Sequence, residues 1–150
     1  MPYLLITAAV FWIDFFVKNH MDKKYACKVV HSRFRDKIRV EKYYNKGAAL
    51  NFLAKRPKLM RSLHTAILAV VAVMYYLLLK MQGKPLSKMG TSLLLGGGLS
   101  NLYDRYARGH VVDYFHINIG PAWFRNIIFN LSDFCVFIGA AAAAAGSEQP

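Results

Sequence analysis

Four long apolar runs separated by polar segments organise the chain: Pro2 to Val17, Leu63 to Leu79, Met89 to Leu102, and Ile127 to Ala145. A crossing of the hydrocarbon core takes about 20 apolar residues, so the fourth run suffices, the second nearly does, and the first and third need their flanks. The second and fourth runs lack the polar face of an amphipathic soluble helix, which argues against a soluble four-helix bundle. Nothing basic precedes Lys18 and Asp14 falls inside the first run, so that run reads as a retained helix and not as a cleaved leader. Between the first two runs, "KVVHSRF" and "IRVEKYY" are β-branched and aromatic stretches separated by Arg35, Asp36 and Lys37, which predicts a small hairpin lying on the membrane. The segment "NKGAALNFL" that follows is turn-like. The pattern thus predicts an all-α membrane protein, one domain over residues 1–150. Its four transmembrane helices fall near 2–17, 63–79, 89–103 and 127–145, with a small β-hairpin between the first two. Four crossings leave both termini on one side and the two long connections, 18–61 and 104–126, on the other.

Composition agrees with a membrane protein: 55% of the residues are apolar and the mean hydropathy is +0.23. Charge is unevenly placed. From Lys18 to Arg61 there are 14 lysines and arginines against Asp22, Asp36 and Glu41, which accounts for +11 of the net +12. Basic loops beside apolar spans meet anionic lipid head groups more readily than nucleic acid, so membrane lipid is the expected partner and nucleic acid is not. The same loop, counted by the positive-inside rule, belongs in the cytoplasm, with only Lys80, Lys84 and Lys88 opposing it. Two cysteines, Cys27 and Cys135, and five scattered histidines form no disulfide framework or metal-ligand spacing, so neither a metal nor a cofactor is expected. In the third run Gly96, Gly97, Gly98 and Ser100 crowd into five residues, as helices do where they approach closely in lipid.

Ionisable residues inside spans cost about 2.5 to 3.5 kcal/mol on insertion scales and mark functional sites by default. Asp133 lies six residues into the fourth run, about 9 Å along a helix axis, and so is shallow on the long-loop side. Asp113, in "GHVVDYF", follows the third run and belongs to that side, on a chain that dips back towards the interface. The two carboxylates are expected to approach one another. Two acids at close range in a partly dry site share a proton, the condition for one to take a proton from water while the other gives one to a carbonyl oxygen. Asn101 with Arg105 (i, i+4), Asn130 with Asp133 (i, i+3) and Asp14 with Lys18 (i, i+4) each share a helix face. Asp14 and Lys18 read equally well as snorkelling charges and interhelical hydrogen bonds, and Asp104 as the structural ion-pair partner of Arg105. No Gly-x-Gly-Asp or Gly-x-Ser-Gly element of other intramembrane proteases occurs.

The chain resembles the lipoprotein signal peptidases, or signal peptidase II, in four ordered blocks: "IDFFVK", "NKGAALNFL", "GGGLSNLYDRYARGHVVDYF" and "FNLSD". The resemblance implies a bacterial aspartyl endopeptidase of the inner membrane with four spans and an extracytoplasmic β-cradle, its active site near the extracytoplasmic face. It would cut the signal peptide of a prolipoprotein before the diacylglyceryl-modified cysteine, acting as a monomer. Carried over, the catalytic pair is Asp113 and Asp133. Asp14, Lys18, Asn45, Asn101, Arg105 and Asn130 become supporting or substrate-contacting residues. The family also puts the termini in the cytoplasm, against the loop-charge count. Departures are Phe15 where Gln is usual, Val17 where Ser or Thr is common, Ser100 in place of Gly, and Ser132 in place of Ala. The rival is a non-enzymatic four-helix membrane protein that binds lipid or peptide, its aspartates only holding helices together.

Overall fold

The computed structural model describes residues 1–48 and 52–147. Elements run α1 (Pro2–Lys24), β1 (His31–Arg33), β2 (Ile38–Asn45), α2 (Pro57–Lys80), α3 (Pro85–Ala107), β3 (Val111–Ile117), α4 (Ala122–Arg125) and α5 (Leu131–Ser147). Prolines open α1, α2 and α3, where a missing N–H costs nothing. All four long helices reach beyond the apolar runs at one or both ends, because polar residues at interfaces continue a helix that the run begins. The fourth is the exception at its start. Residues 127–130 are not helical, Phe129 forms an antiparallel bridge with Phe115, and the helix opens only at Leu131. Asp133 therefore sits in the first helical turn, shallower than a helix begun at Ile127 would put it.

The most buried helix is α3, packed against α1, α2 and α5. Successive helical residues point about 100° apart, so three adjacent glycines serve three neighbours. A Cβ on Gly96 would lie 2.7 Å from the Thr7 carbonyl on α1, one on Gly97 2.6 Å from the Ser132 carbonyl on α5, and one on Gly98 2.5 Å from Leu68 Cδ2 on α2. Gly90 and Gly139 form a further close approach between α3 and α5, where a Cβ on either would meet the other's carbonyl at 2.7 and 2.6 Å. Among the described residues, Leu68 and Tyr75 of α2 and Leu95 of α3 form a small buried apolar cluster between the helices. Large apolar side chains of α1 and α2, among them Leu5, Phe16, Val70 and Val73, face outward. Among the described residues, α1 and α2 are long and apolar enough to cross a membrane, with mean hydropathy 1.3 and 2.0 over their best windows; α5 is apolar but shorter.

The predicted hairpin is present as β1 and β2, turned by Phe34, Arg35 and Asp36 in the left-handed region. It is not alone. β3, read from the sequence as a dipping loop, pairs antiparallel with β2 and completes a three-stranded sheet in the order β1-β2-β3. The cradle therefore draws its third strand from the connection after α3 as well as from the loop between α1 and α2. Of the turn-like "NKGAALNFL", Ala49, Leu50 and Asn51 lie outside the described residues, as do the last three residues of the chain.

Candidate active site

Strand pairing delivers the first aspartate. Asn45 ends β2 opposite Val111, and Asp113, two residues on, shares that face of the sheet. The Asn45 side-chain Oδ1 accepts the Gly47 N–H at 2.9 Å, which turns its Nδ2 towards Asp113 Oδ2, also at 2.9 Å. Helix capping delivers the second. Asn130 Oδ1 accepts the Asp133 N–H at 2.9 Å and Asp133 Oδ2 accepts the Asn130 N–H at 3.0 Å, a reciprocal capping box that fixes the carboxylate at the opening of α5.

Two amides join the acids. Asn130 Nδ2 donates to Asp113 Oδ1 at 2.7 Å and to Asn101 Oδ1 at 3.2 Å. Asn101 Nδ2 donates to Asp133 Oδ1 at 3.1 Å. Lys18 Nζ donates to Asn101 Oδ1 at 2.7 Å, so that oxygen takes two donors and the amide has only its N–H groups left for Asp133. Each aspartate thus receives two donors and keeps acceptor capacity towards a shared cavity of about 400 Å³. One end of that cavity is polar, with Asn45, Asn101, Arg105, Asp113 and Asp133; Ile67, Ile128, Val136 and Phe137 give it apolar walls. Asp113 is 2% exposed. Burial first, and then the charge of Asp133, pushes its carboxyl up to about 7.

Behind the amides lies an ion network. Lys18 Nζ is 2.7 Å from Asp14 Oδ2 and 3.2 Å from Asp104 Oδ2, and both Asp14 and Lys18 are fully buried, so they do not snorkel, while the interhelical hydrogen bonds of that alternative are present, from Lys18 to Asn101 and from Ser100 and Ser132 to Asp14. Asp104 is the structural ion-pair residue expected, but its partners are Lys18 and Arg108, the latter at 3.0 Å, not Arg105. Adjacent residues on a helix diverge by about 100°, so Asp104 and Arg105 face different ways. Arg105 instead donates to the carbonyls of Asn101, at 3.2 Å, and Gly47, tying α3 to the segment after β2.

All eight residues singled out in the sequence therefore meet around one cavity or directly behind it. Three others were not foreseen as members. Ser100 Oγ and Ser132 Oγ donate to Asp14 Oδ2 at 2.6 and 2.5 Å, so the two serine departures converge on one carboxylate. Tyr114 accepts the Leu131 N–H at 2.8 Å and donates to Asp14 Oδ1 at 3.4 Å. The serines were visible as polar residues at positions meant to be small. Tyr114 carried no such signal, because its side of β3 depends on a register that only the folded sheet sets.

Comparison with known proteins gives the family and the fold. A family model described as signal peptidase (SPase) II matches residues 6–147. The chain belongs to the signal peptidase II family. It is similar to the lipoprotein signal peptidase of Paraburkholderia phytofirmans, 36% identical over 93% of this chain and 80% of that protein. It is also similar to the lipoprotein signal peptidases of Pseudomonas aeruginosa, 33% identical over 93% and 83%, and of Aquifex aeolicus, 32% identical over 93% and 81%. A solved bacterial membrane enzyme shares the fold with a TM-score of 0.83 at 22% identity, covering 97% of this chain and 87% of that one.

Proposed function

We propose that this signal peptidase II family member is an aspartyl endopeptidase that removes the signal peptide of diacylglyceryl-modified prolipoproteins before the lipidated cysteine. The observation that carries the mechanism is the meeting of Asp113 and Asp133 on one cavity through Asn130, which donates to both. One water held between them attacks the scissile carbonyl. One carboxylate takes the water's proton, the other protonates the carbonyl oxygen, and the tetrahedral intermediate collapses with a proton passed to the leaving amine. The pair titrates as a unit. Burial of Asp113, together with the helix N-terminus beneath Asp133, favours the shared proton on Asp113, which makes Asp113 the acid and Asp133 the base of the first step. Asn45, Asn101 and Asn130 hold the two carboxylates, Asp14 and Lys18 hold Asn101, and Arg105 fixes the wall beside them. The apolar walls suit a lipidated peptide whose acyl chains remain among the surrounding lipids.

The chain is read as one integral-membrane domain over residues 1–150, with α3 and α5 joining α1 and α2 as spans of the bacterial cytoplasmic membrane. What supports four crossings is the packing of α3 against the other three helices and the collection of all three strands at one end. The site is complete within one chain, in keeping with a monomer. The sheet and the dyad are placed at the extracytoplasmic face, on the family resemblance and against the loop charge. The decisive assay is cleavage of a purified lipidated prolipoprotein in liposomes. Asp113→Asn and Asp133→Asn should each abolish product while the protein stays folded, and turnover by either removes the assignment. An impermeant thiol reagent added to intact cells should label exposed Cys27; absence of label reverses the orientation.

A further inference from the structure

Successive side chains of a strand point to opposite faces, so β3 sends Asp113 into the dyad cavity and its neighbour Tyr114 the other way, towards Asp14 on α1. Tyr114 is 7% exposed. Its hydroxyl uses both of its capacities: the oxygen accepts the Leu131 N–H at 2.8 Å and the proton goes to Asp14 Oδ1 at 3.4 Å. Leu131 is the first residue of α5, two positions before Asp133. One phenol oxygen therefore ties the strand that carries one acid to the helix that carries the other. A helix leaves its first N–H groups without acceptors of its own. In α5 the first three all have partners: Leu131 on Tyr114 Oη, Ser132 on Asp14 Oδ1 at 3.3 Å, and Asp133 on Asn130 Oδ1 at 2.9 Å.

Backbone pairing alone does not fix this turn. Phe129 exchanges hydrogen bonds with Phe115 at 2.7 and 3.1 Å, but this is a single bridge, after which the chain turns through Asn130 into α5. A helix held at one bridge can pivot about the residues that follow it, and a second anchor away from the pivot removes that freedom. The Tyr114 hydroxyl is such an anchor. Without it a buried N–H loses its acceptor, which is costly, and the turn relieves the cost by unwinding or tilting. Either movement carries Asp133 away from Asp113. We propose that Tyr114 is a positioning residue of the peptidase: its hydroxyl, by holding the Leu131 N–H, sets where Asp133 stands against Asp113 at their shared cavity. It acts through α5 and not on the substrate. Misplacement by about 1 Å costs up to about a hundredfold in rate, so one hydroxyl behind the site is enough to matter. The role rests on the peptidase reading and adds to it a residue on the far face of β3.

Tyr114→Phe removes the hydroxyl and keeps the ring. For the full-length protein in neutral micelles, kcat on a lipidated prolipoprotein should fall about tenfold while KM stays within about twofold of the parent's. Amide hydrogen exchange followed by NMR should quicken about tenfold at Leu131 to Asp133 and stay unchanged in α2. Ser100→Ala, which removes a donor to the same Asp14 carboxylate from α3, should keep kcat. A Tyr114→Phe kcat within about twofold of the parent's overturns the role and leaves the positioning to the Phe129 bridge. An equal loss of kcat in Ser100→Ala at an equal drop in melting midpoint also overturns it, because the effect is then one of stability. If Tyr114→Phe has no cooperative transition, the parent decides: a Leu131 amide protected like the interior of α5 supports the tie, and one that exchanges as fast as an exposed loop overturns it. A parent that cleaves no lipidated prolipoprotein removes the peptidase reading. Exchange at Leu131 to Asp133 in Tyr114→Phe then still decides whether the hydroxyl holds α5, and unchanged exchange shows that it does not.

Discussion

The ammonium of Lys18 donates to Oδ1 of Asn101 at 2.7 Å, and this single bond decides which end of the Asn101 amide faces Asp133. Were that oxygen free to rotate towards Asp133, it would present an acceptor to a carboxylate. The lysine is in turn clamped between Asp14 and Asp104, so charges on α1 and α3 set the hydrogen bonding of a group on α5.

Lys18→Met is expected to leave the buried Asp14 without its cation and Asp104 with Arg108 alone, and removing one partner of a buried pair costs about 3–5 kcal/mol. The protein should lose its cooperative unfolding transition or show a midpoint lowered by many degrees. A variant as stable as the parent in detergent would show that the network contributes nothing.

Ser132→Ala and Ser100→Ala each remove a hydroxyl donor to the charged Asp14 Oδ2, worth about 1.5–3 kcal/mol apiece. Because both reach the same oxygen, the double variant should cost less than the two singles added together. Denaturation midpoints of the three proteins give the coupling directly. Neither hydroxyl touches the dyad, so cleavage per folded molecule should persist.

Two neighbouring glycines should respond differently to one methyl group. On Gly97 a Cβ meets the backbone carbonyl of Ser132 at 2.6 Å, immediately before Asp133, and α5 has to move. On Gly98 it meets the tip of Leu68, which can swing aside. Gly97→Ala is expected to cost the upper part of the roughly 1–3 kcal/mol range for overpacking and to depress turnover, whereas Gly98→Ala should fall at its lower end with turnover kept. Parallel melting and cleavage measurements would separate them, and equal effects would contradict the packing argument.

The raised carboxyl of Asp113 gives a pH dependence with a definite sign. Its ordinary value is 3.8 and its value in the folded protein about 7, so the folded state holds the proton more tightly than the unfolded chain does. Below the lower value this carboxyl imposes no penalty. Stability falls as pH rises between the two and is constant above about 7. Asp113→Asn should abolish that part of the slope. For the peptidase, loss of the shared proton predicts that kcat/KM declines on the alkaline side from about pH 7, and a profile flat through that region would contradict a dyad carrying one proton.

Much of this was legible in the residue order. Four apolar runs, the second and fourth with no polar face, announced four helices, and i, i+3 and i, i+4 spacings placed Asp14 with Lys18 and Asn130 with Asp133, because those contacts are local and follow from helix geometry alone. What the sequence could not specify were contacts between residues far apart in the chain. The pairing of β3 with β2 brings Asn45 to Asp113 across a separation of 68 residues, and helix packing through Gly96, Gly97 and Gly98 brings Ser100 and Ser132 to Asp14. That Arg105 points away from its neighbour Asp104 is local helix geometry, but that Lys18 meets Asp104 depends on how α3 packs against α1. Local hydrogen bonding is written in spacing. The company a buried charge keeps is decided only when the helices and strands have packed, since strand register and helix rotation are collective properties that no short window of sequence contains.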